Sequence, residues 1–309
     1  MNPHDARLFV VLVVGFACVL TSALSLGLWF AERRGWLVRS RFAIVSGRLT
    51  GGVVLLAFAC FLWGVFIEAD WLVVTRETVT TPKWPKGKTF RIAHLSDLHV
   101  DRNSRALTRL TELLAREQVD LIVFTGDAIN ELGATKLFRS TLGSLPARFG
   151  RVAVRGNHDV YRWKDLDLFG GGVATELPGR GGPLVLEGGA LAICGAPFDH
   201  YDALPDCIAG APKGAFVLLA FHTPDLVEAL EPRPDLYLAG HTHGGQVAVP
   251  FYGALITLSR FDKKYEAGRF EVAGTTLYVN RGIGFEPGFF RVRFAARPEL
   301  TLIDVVGTQ

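Results

Sequence analysis

Val119-Asp120-Leu121-Ile122-Val123-Phe124-Thr125-Gly126-Asp127 is an almost unbroken apolar run that stops at a glycine and a carboxylate. A run this short reads as a strand buried on both faces. Gly126 lets the backbone turn sharply, which leaves Asp127 at the strand tip. The same pattern repeats on either side. Residues 89–95 run into Ser96-Asp97-Leu98-His99, and residues 151–155 into Gly156-Asn157-His158-Asp159. Residues 215–221 run into His222, and residues 235–239 into Gly240-His241-Thr242-His243. Residues 104–116, with Leu107, Leu110, Leu113 and Leu114 at helical spacing, and residues 135–145 read as helices between them. A short helix is expected from Asp225. Further strands are expected at 184–186, 190–194, 270–273, 276–279, 289–294 and 300–305. Such a mixture predicts two sheets packed face to face with helices outside, a layered α/β arrangement.

Five strands ending in Asp, Asn or His point to a ligand site, because loops at strand C-termini are free to carry polar groups. Residues two apart in an extended or tight-turn segment share a side. Asp97 and His99 can therefore hold one ion or divide between two, and so can His241 and His243. Either pair alone is weak evidence, since such triplets occur by chance. Of the eight histidines, six fall in or beside these loops: His94, His99, His158, His222, His241 and His243. His94 reads as a satisfied strand residue. Asp97, His99, Asp127, Asn157, His222, His241 and His243 offer more O and N ligands than one tetrahedral site needs, and they suit two divalent ions such as manganese, iron or zinc. One carboxylate must bridge ions spaced about 3.5–4 Å apart, and Asp127 is the candidate.

Hydrophobic residues make up 49% of the 309 and charged residues 20%. The excess lies near the N-terminus, where residues 8–31 and 49–67 carry no charge. Each run can cross a hydrocarbon layer of roughly 30 Å as a helix. We therefore expect residues 1–70 to be an anchor of two transmembrane helices, 71–89 a linker containing Pro82, Pro85 and Gly87, and 90–309 the soluble domain. Arg33, Arg34, Arg39, Arg41 and Arg48 fill the loop between the runs, against Glu32 alone. That bias places the loop in the cytoplasm and the soluble domain outside. A net charge of +3, with no basic run interleaved with aromatics, gives no reason to expect nucleic acid as a partner. Cys194 and Cys207 can pair in an exported domain or remain a reduced buried pair.

The ordered motifs Ser96-Asp97-Leu98-His99, Gly126-Asp127, Gly156-Asn157-His158-Asp159, His222 and Gly240-His241-Thr242-His243 resemble those of the calcineurin-like metallophosphoesterase superfamily. Gly244-Gly245-Gln246 and Tyr278-Val279-Asn280-Arg281-Gly282-Ile283-Gly284 look like its YkuE/YaeI-type bacterial branch. That branch holds membrane-associated phosphoesterases, including UDP-2,3-diacylglucosamine hydrolases of the lipid A pathway. The resemblance implies a metallophosphatase sandwich of two mixed sheets and a division of ligands. Asp97, His99, Asp127 and His243 would hold one metal, and Asp127, Asn157, His222 and His241 the other. His158 would be catalytic, facing the phosphate. Many relatives carry an Asp three residues after the bridging Asp to orient that histidine; here Asn130 stands there, which weakens the case for strong general-acid catalysis. Hydrolysis of a phosphate ester or anhydride at the inner membrane of a bacterial cell is the expected activity, on a phosphorylated lipid or envelope compound. Apolar residues 247–256 and 285–290 read either as ordinary core and strand packing or as an apolar wall near the metals. Arg281 reads either as a salt-bridged surface arginine or as an added donor to the phosphate. A UDP-2,3-diacylglucosamine pyrophosphatase and a non-catalytic metal-binding scaffold are the alternatives. No HExxH occurs to suggest a zinc peptidase.

Overall fold

The structure, a computed structural model, describes residues 3–35, 41–101, 105–286 and 291–308. It divides into two units, Met1–Glu68 and Ala69–Gln309. The first contains helices α1 (Pro3–Arg33) and α2 (Arg41–Phe66). Among the described residues one stretch, Ile44–Asp70, is long and apolar enough to cross a membrane. Only 6% of its apolar window is buried within the protein, unlike a core helix. The sequence led us to expect two such spans. Residues 8–31 are helical within α1, but most side chains in the first half of that helix lie outside the described residues. Its described half carries Thr21, Ser22 and Ser25 and ends in Glu32 and Arg33, which dilutes its hydropathy. Arg39 of the intervening loop also lies outside the described residues.

The second unit is built on two six-stranded sheets. One comprises β1 (Val73–Lys86), β2 (Thr89–Leu95), β3 (Leu121–Phe124), β4 (Arg151–Ala153), β5 (Thr175–Glu176) and β14 (Glu299–Gly307), ordered β1-β14-β2-β3-β4-β5. The other comprises β6 (Leu184–Leu186), β7 (Leu191–Gly195), β8 (Phe216–Ala220), β9 (Leu236–Ala239), β12 (Gly268–Val272) and β13 (Thr275–Val279), ordered β12-β13-β9-β8-β7-β6. Both are mixed: β2, β3, β4 and β5 run parallel, as do β7, β8 and β9, while β14–β2 and β6–β7 are antiparallel.

Alternation along β3 shows why its sequence is apolar throughout. Leu121 and Val123 face the other sheet, packing with Ile92, Val152, Leu218, Phe216 and Leu236. Ile122 and Phe124 face the opposite way, against Leu107, Leu110 and Leu114 of α3 (Ala106–Leu114) and Phe138 and Leu142 of α4 (Thr135–Ser144). Burying each such side chain is worth about 1.5–3 kcal/mol. The outer face of the second sheet is covered by Leu204, Cys207 and Ile208 of α6 (Leu204–Ala209), and Cys194 is disulfide-bonded to Cys207. The result is a four-layered sandwich.

Three expectations change. The linker expected at 71–89 is instead largely β1, a 14-residue strand paired in parallel with β14 from Val73 opposite Glu299. Val73, Val74, Thr75, Thr78 and Val79 favour a strand, and Pro82 and Pro85 are tolerated because β1 is an edge strand. The strand expected at 289–294 does not form among the described residues 291–294, where Phe294 makes only an isolated bridge to Val247; residues 289 and 290 lie outside the described residues. At Asp225 there is a turn rather than a helix. A small hairpin, β10 (Ala248–Val249) with β11 (Gly253–Ala254), presents Phe251 and Tyr252 to solvent.

Candidate metal centre

The parallel runs β2-β3-β4 and β8-β9 bring their C-terminal loops to one end of the sandwich, and the loops there are short and strained. Asp97, His99, Asp127, His241 and His243 all take positive φ, from 38° to 73°. Non-glycine residues seldom do so, and such strain gathers at functional sites. Gly126 is required by close approach as well as by its φ of +103°: a Cβ there would lie 2.4 Å from the Gly156 nitrogen. Asp159, fully buried at the start of α5 (Asn157–Arg162), locks two loops together. Its carboxylate accepts from the backbone N–H groups of Asp127 (2.8 Å), Ala128 (2.9 Å) and Gly156 (3.0 Å). Burial and the neighbouring Asp127 push its pKa up to about 6 even so.

Two groups of ligand atoms result, and they share one oxygen. In the first, Asp97 Oδ1 is 3.4 Å from His243 Nε2, and His99 Nε2 is 3.5 Å from Asp127 Oδ2. In the second, that same Asp127 Oδ2 is 3.4 Å from His222 Nε2. His222 Nε2 is in turn 2.8 Å from Asn157 Oδ1 and 3.1 Å from His241 Nδ1. The seven residues singled out as ligands thus converge, with Asp127 between the groups. The other carboxylate oxygen of Asp127 accepts from the His158 backbone N–H at 2.9 Å, which fixes the plane in which Oδ2 projects.

These atoms fit divalent cations. Asp97 Oδ1, His99 Nε2 and His243 Nε2 are buried and have no hydrogen-bond partner, a costly state for polar atoms that metal coordination relieves. The opposite nitrogens are oriented from behind: His99 Nδ1 faces Asn130 Oδ1 at 2.8 Å, and His222 Nδ1 donates to the Thr125 carbonyl at 2.8 Å. Such second contacts fix tautomer and ring direction in metal sites. The two His/Asp clusters are therefore candidate sites for two divalent ions.

Charge within the centre follows from burial and from the two carboxylates. Burial lowers His99 and His241 to about 4. At His222 burial also opposes charge, but Asp127 and Asp97 outweigh it and lift the ring to about 10. Both nitrogens of His222 face oxygen acceptors, the pattern of an imidazolium. Metal binding must therefore expel a proton there.

Asn130 does not serve His158. Its oxygen meets His99, and its amide donates to the Phe285 carbonyl at 3.1 Å. His158 Nε2 instead lies 3.0 Å from Glu286 Oε1. Burial alone would lower His158, but this hydrogen bond and Asp127 overcome it and raise the ring's proton affinity. Glu286 escaped the sequence reading; its one signal is a lone acid in an otherwise apolar stretch. Arg281 pairs its Nε with the buried Glu299 at 3.1 Å. Arg293 is fully buried, donates to the carbonyls of Arg281 (2.8 Å) and Ala296 (3.0 Å), and sits 3.3 Å from His243 Nδ1. His94 is a strand residue bonded to Thr125 Oγ1 at 2.9 Å.

Residues 90–245 match the calcineurin-like phosphoesterase family. The chain is 30% identical to the metallophosphoesterase YkuE of Bacillus subtilis (strain 168) over 296 residues, which cover 90% of this chain and 98% of that one. It is 28% identical over 262 residues to the phosphodiesterase YaeI of Escherichia coli (strain K12), covering 78% and 91%. Over 306 aligned residues it is 26% identical to the UDP-2,3-diacylglucosamine pyrophosphatase LpxG of Chlamydia trachomatis serovar D, covering 79% and 92%.

Proposed function

This chain belongs to the calcineurin-like phosphoesterase family, and we propose that it is a membrane-attached phosphoesterase of the YkuE/YaeI-type branch that needs two divalent metal ions. The observation that carries this reading is the pair of ligand groups meeting at Asp127 Oδ2. Asp97, His99, Asp127 and His243 would hold one ion, and Asp127, Asn157, His222 and His241 the other. When bound, the ions supply Lewis acidity toward phosphoryl oxygens and make water a nucleophile near neutral pH. Asp127 sets the spacing of the two sites through its shared oxygen. His158, buried beside them with its ring centroid 5.0 Å from that of His99, faces the phosphate and delivers a proton to the leaving oxygen. No side-chain nucleophile is required. The test is hydrolysis of bis(p-nitrophenyl) phosphate by the full-length protein in detergent. We expect turnover that chelation abolishes and manganese or zinc restores; a fully metal-loaded protein without turnover would favour a scaffold.

The substrate in this reading is a phosphorylated lipid or envelope compound, with the bilayer as a partner and residues 1–70 as the anchor. Exposed Phe251 and Tyr252 at the β10–β11 tip support contact with an apolar surface. The Cys194–Cys207 disulfide supports an oxidising compartment, in line with the arginine-rich loop facing the cytoplasm. We expect protease added outside an intact inner membrane to digest the chain beyond Asp70. We also expect Cys194 and Cys207 to resist alkylation until reduced. Protection of the domain together with free thiols would overturn export. That outcome would favour the second reading, a UDP-2,3-diacylglucosamine pyrophosphatase acting on the cytoplasmic side, which similarity to LpxG supports.

A further inference from the structure

We infer that Glu286 is the positioning carboxylate of His158, a role that deepens the phosphoesterase reading and rests on it. The pairing is built from both sides. The Glu286 backbone N–H donates to Gln246 Oε1 at 2.7 Å, and the preceding carbonyl, that of Phe285, accepts from Asn130 at 3.1 Å. Upstream, the Gly284 N–H donates to the Asp97 carbonyl at 2.7 Å and the Ile283 N–H to the Ser96 and Asp97 carbonyls at 3.2 Å. The segment is therefore laid directly on the loop that carries Asp97 and His99. Gly284 has no room for a side chain, since a Cβ would stand 2.2 Å from the Leu98 carbonyl oxygen. This packing accounts for features of the sequence that metal binding leaves unexplained. Gln246 and Asn130 hold the N–H and C=O of the one Phe285–Glu286 peptide group from either side, and the glycine-containing turn before it sets the approach.

Geometry decides between two roles for this carboxylate. Its Oε1 is 3.0 Å from His158 Nε2, a hydrogen bond. Its Oε2 is 3.7 Å from His99 Nε2 and 3.8 Å from His243 Nε2, near the first metal group without bonding to either ring. That group already has four ligand atoms, whereas His158 has no other side-chain hydrogen bond among the described residues: its Nδ1 is buried and unbonded, with His99 in ring contact at 5.0 Å between centroids. Asn130 cannot substitute, because its oxygen is directed at His99. With Nε2–H donated to Glu286, the ring plane is fixed and Nδ1 is the nitrogen left without a protein partner.

A double-mutant cycle on the full-length, metal-loaded protein tests the assignment. We expect E286A to lower kcat on an ester with a poor leaving group about 10–100-fold, the usual cost of losing an orienting partner. Two metals per chain should remain, KM should change little, and E286Q, which keeps an acceptor, should recover part of the loss. E286A/H158A should be no slower than H158A, because a residue acting through another adds nothing once that residue is gone. Additive losses, or a missing metal in E286A, would overturn the assignment, the latter in favour of a metal ligand. Ring-nitrogen NMR of selectively labelled histidine reads the pairing without turnover. The His158 signal should move in E286A while those of His99 and His222 stay. An unmoved His158 signal overturns the pairing, whereas a moved signal in a protein without esterase activity removes only the phosphoesterase reading.

Discussion

Asp127→Asn is expected to leave a folded protein that binds less than one metal ion per chain and turns over more than about 10³-fold more slowly. The comparison that sets this floor is the 10–100-fold cost of losing a residue that merely supports a ligand. Asp127 contributes to both groups at once. Its Oδ2 is 3.5 Å from His99 Nε2 on one side and 3.4 Å from His222 Nε2 on the other. An amide in its place loses the negative charge between two dications, where attraction is strongest for a buried site, and can direct N–H groups at nitrogens that must offer lone pairs. The fold should survive, because the turn is held by Asp159 accepting the backbone N–H of residue 127 at 2.8 Å, and an amide oxygen can still accept from the His158 N–H. Elemental analysis and thermal unfolding of chelated and reloaded protein check both halves. Unfolding of the chelated variant should match that of the chelated parent. Two retained metals with full turnover would remove Asp127 from the bridging position.

The positions that converge at the candidate metal centre could be read from the chain because two independent demands coincide there. Each carrier strand is apolar on both faces, as Ile122 and Val123 of β3 show by packing into different layers, so the first Asp or His after the run marks a strand tip. Divalent cations then restrict which side chains are useful. Other features carry no such double signal. The positive φ of Asp97, His99 and Asp127 is set by tertiary packing, since no local rule places a non-glycine residue there. β1 was hidden by Pro82 and Pro85, whose meaning depends on whether a strand lies at a sheet edge. Cys194 and Cys207 stand 13 residues apart, a spacing that permits pairing without requiring it. Asn130 looked like the partner of His158 by its distance from Asp127, yet ring orientation turns it to His99. Glu286 comes from a segment 128 residues beyond His158, and nothing in a one-dimensional pattern joins them.

That displaced carboxylate changes what is expected of His158→Ala. With an amide as its partner, the imidazole would gain little help in holding a proton, and a loss at the low end of the general-acid range would follow. With Glu286 Oε1 at 3.0 Å, the charged ring is favoured despite its burial, and its proton affinity rises. An imidazolium held in this way can give its proton to a leaving alkoxide as the phosphorus–oxygen bond breaks. We therefore expect His158→Ala to lower kcat by about 10²–10⁴-fold, the contribution typical of a positioned acid or base. The loss should approach the upper end on an alkyl ester and shrink toward the lower end on a nitrophenyl ester, whose leaving group needs no proton. A ring nitrogen of His158 lies within 4.8 Å of ligand atoms of His99 and Asp127, but each proposed metal has four ligands without it and His158 Nε2 is engaged by Glu286, so metal content should stay at two per chain. The His158 backbone N–H, which orients Asp127 at 2.9 Å, is unchanged by the substitution. Equal losses on the two esters would mean that His158 stabilises charge on the phosphoryl oxygens instead of protonating the leaving group. Loss of a metal would place the ring in the coordination sphere. Neither result is compatible with a proton donor held by Glu286, so this one variant, read on two substrates with its metals counted, tests the chemistry assigned to the whole centre.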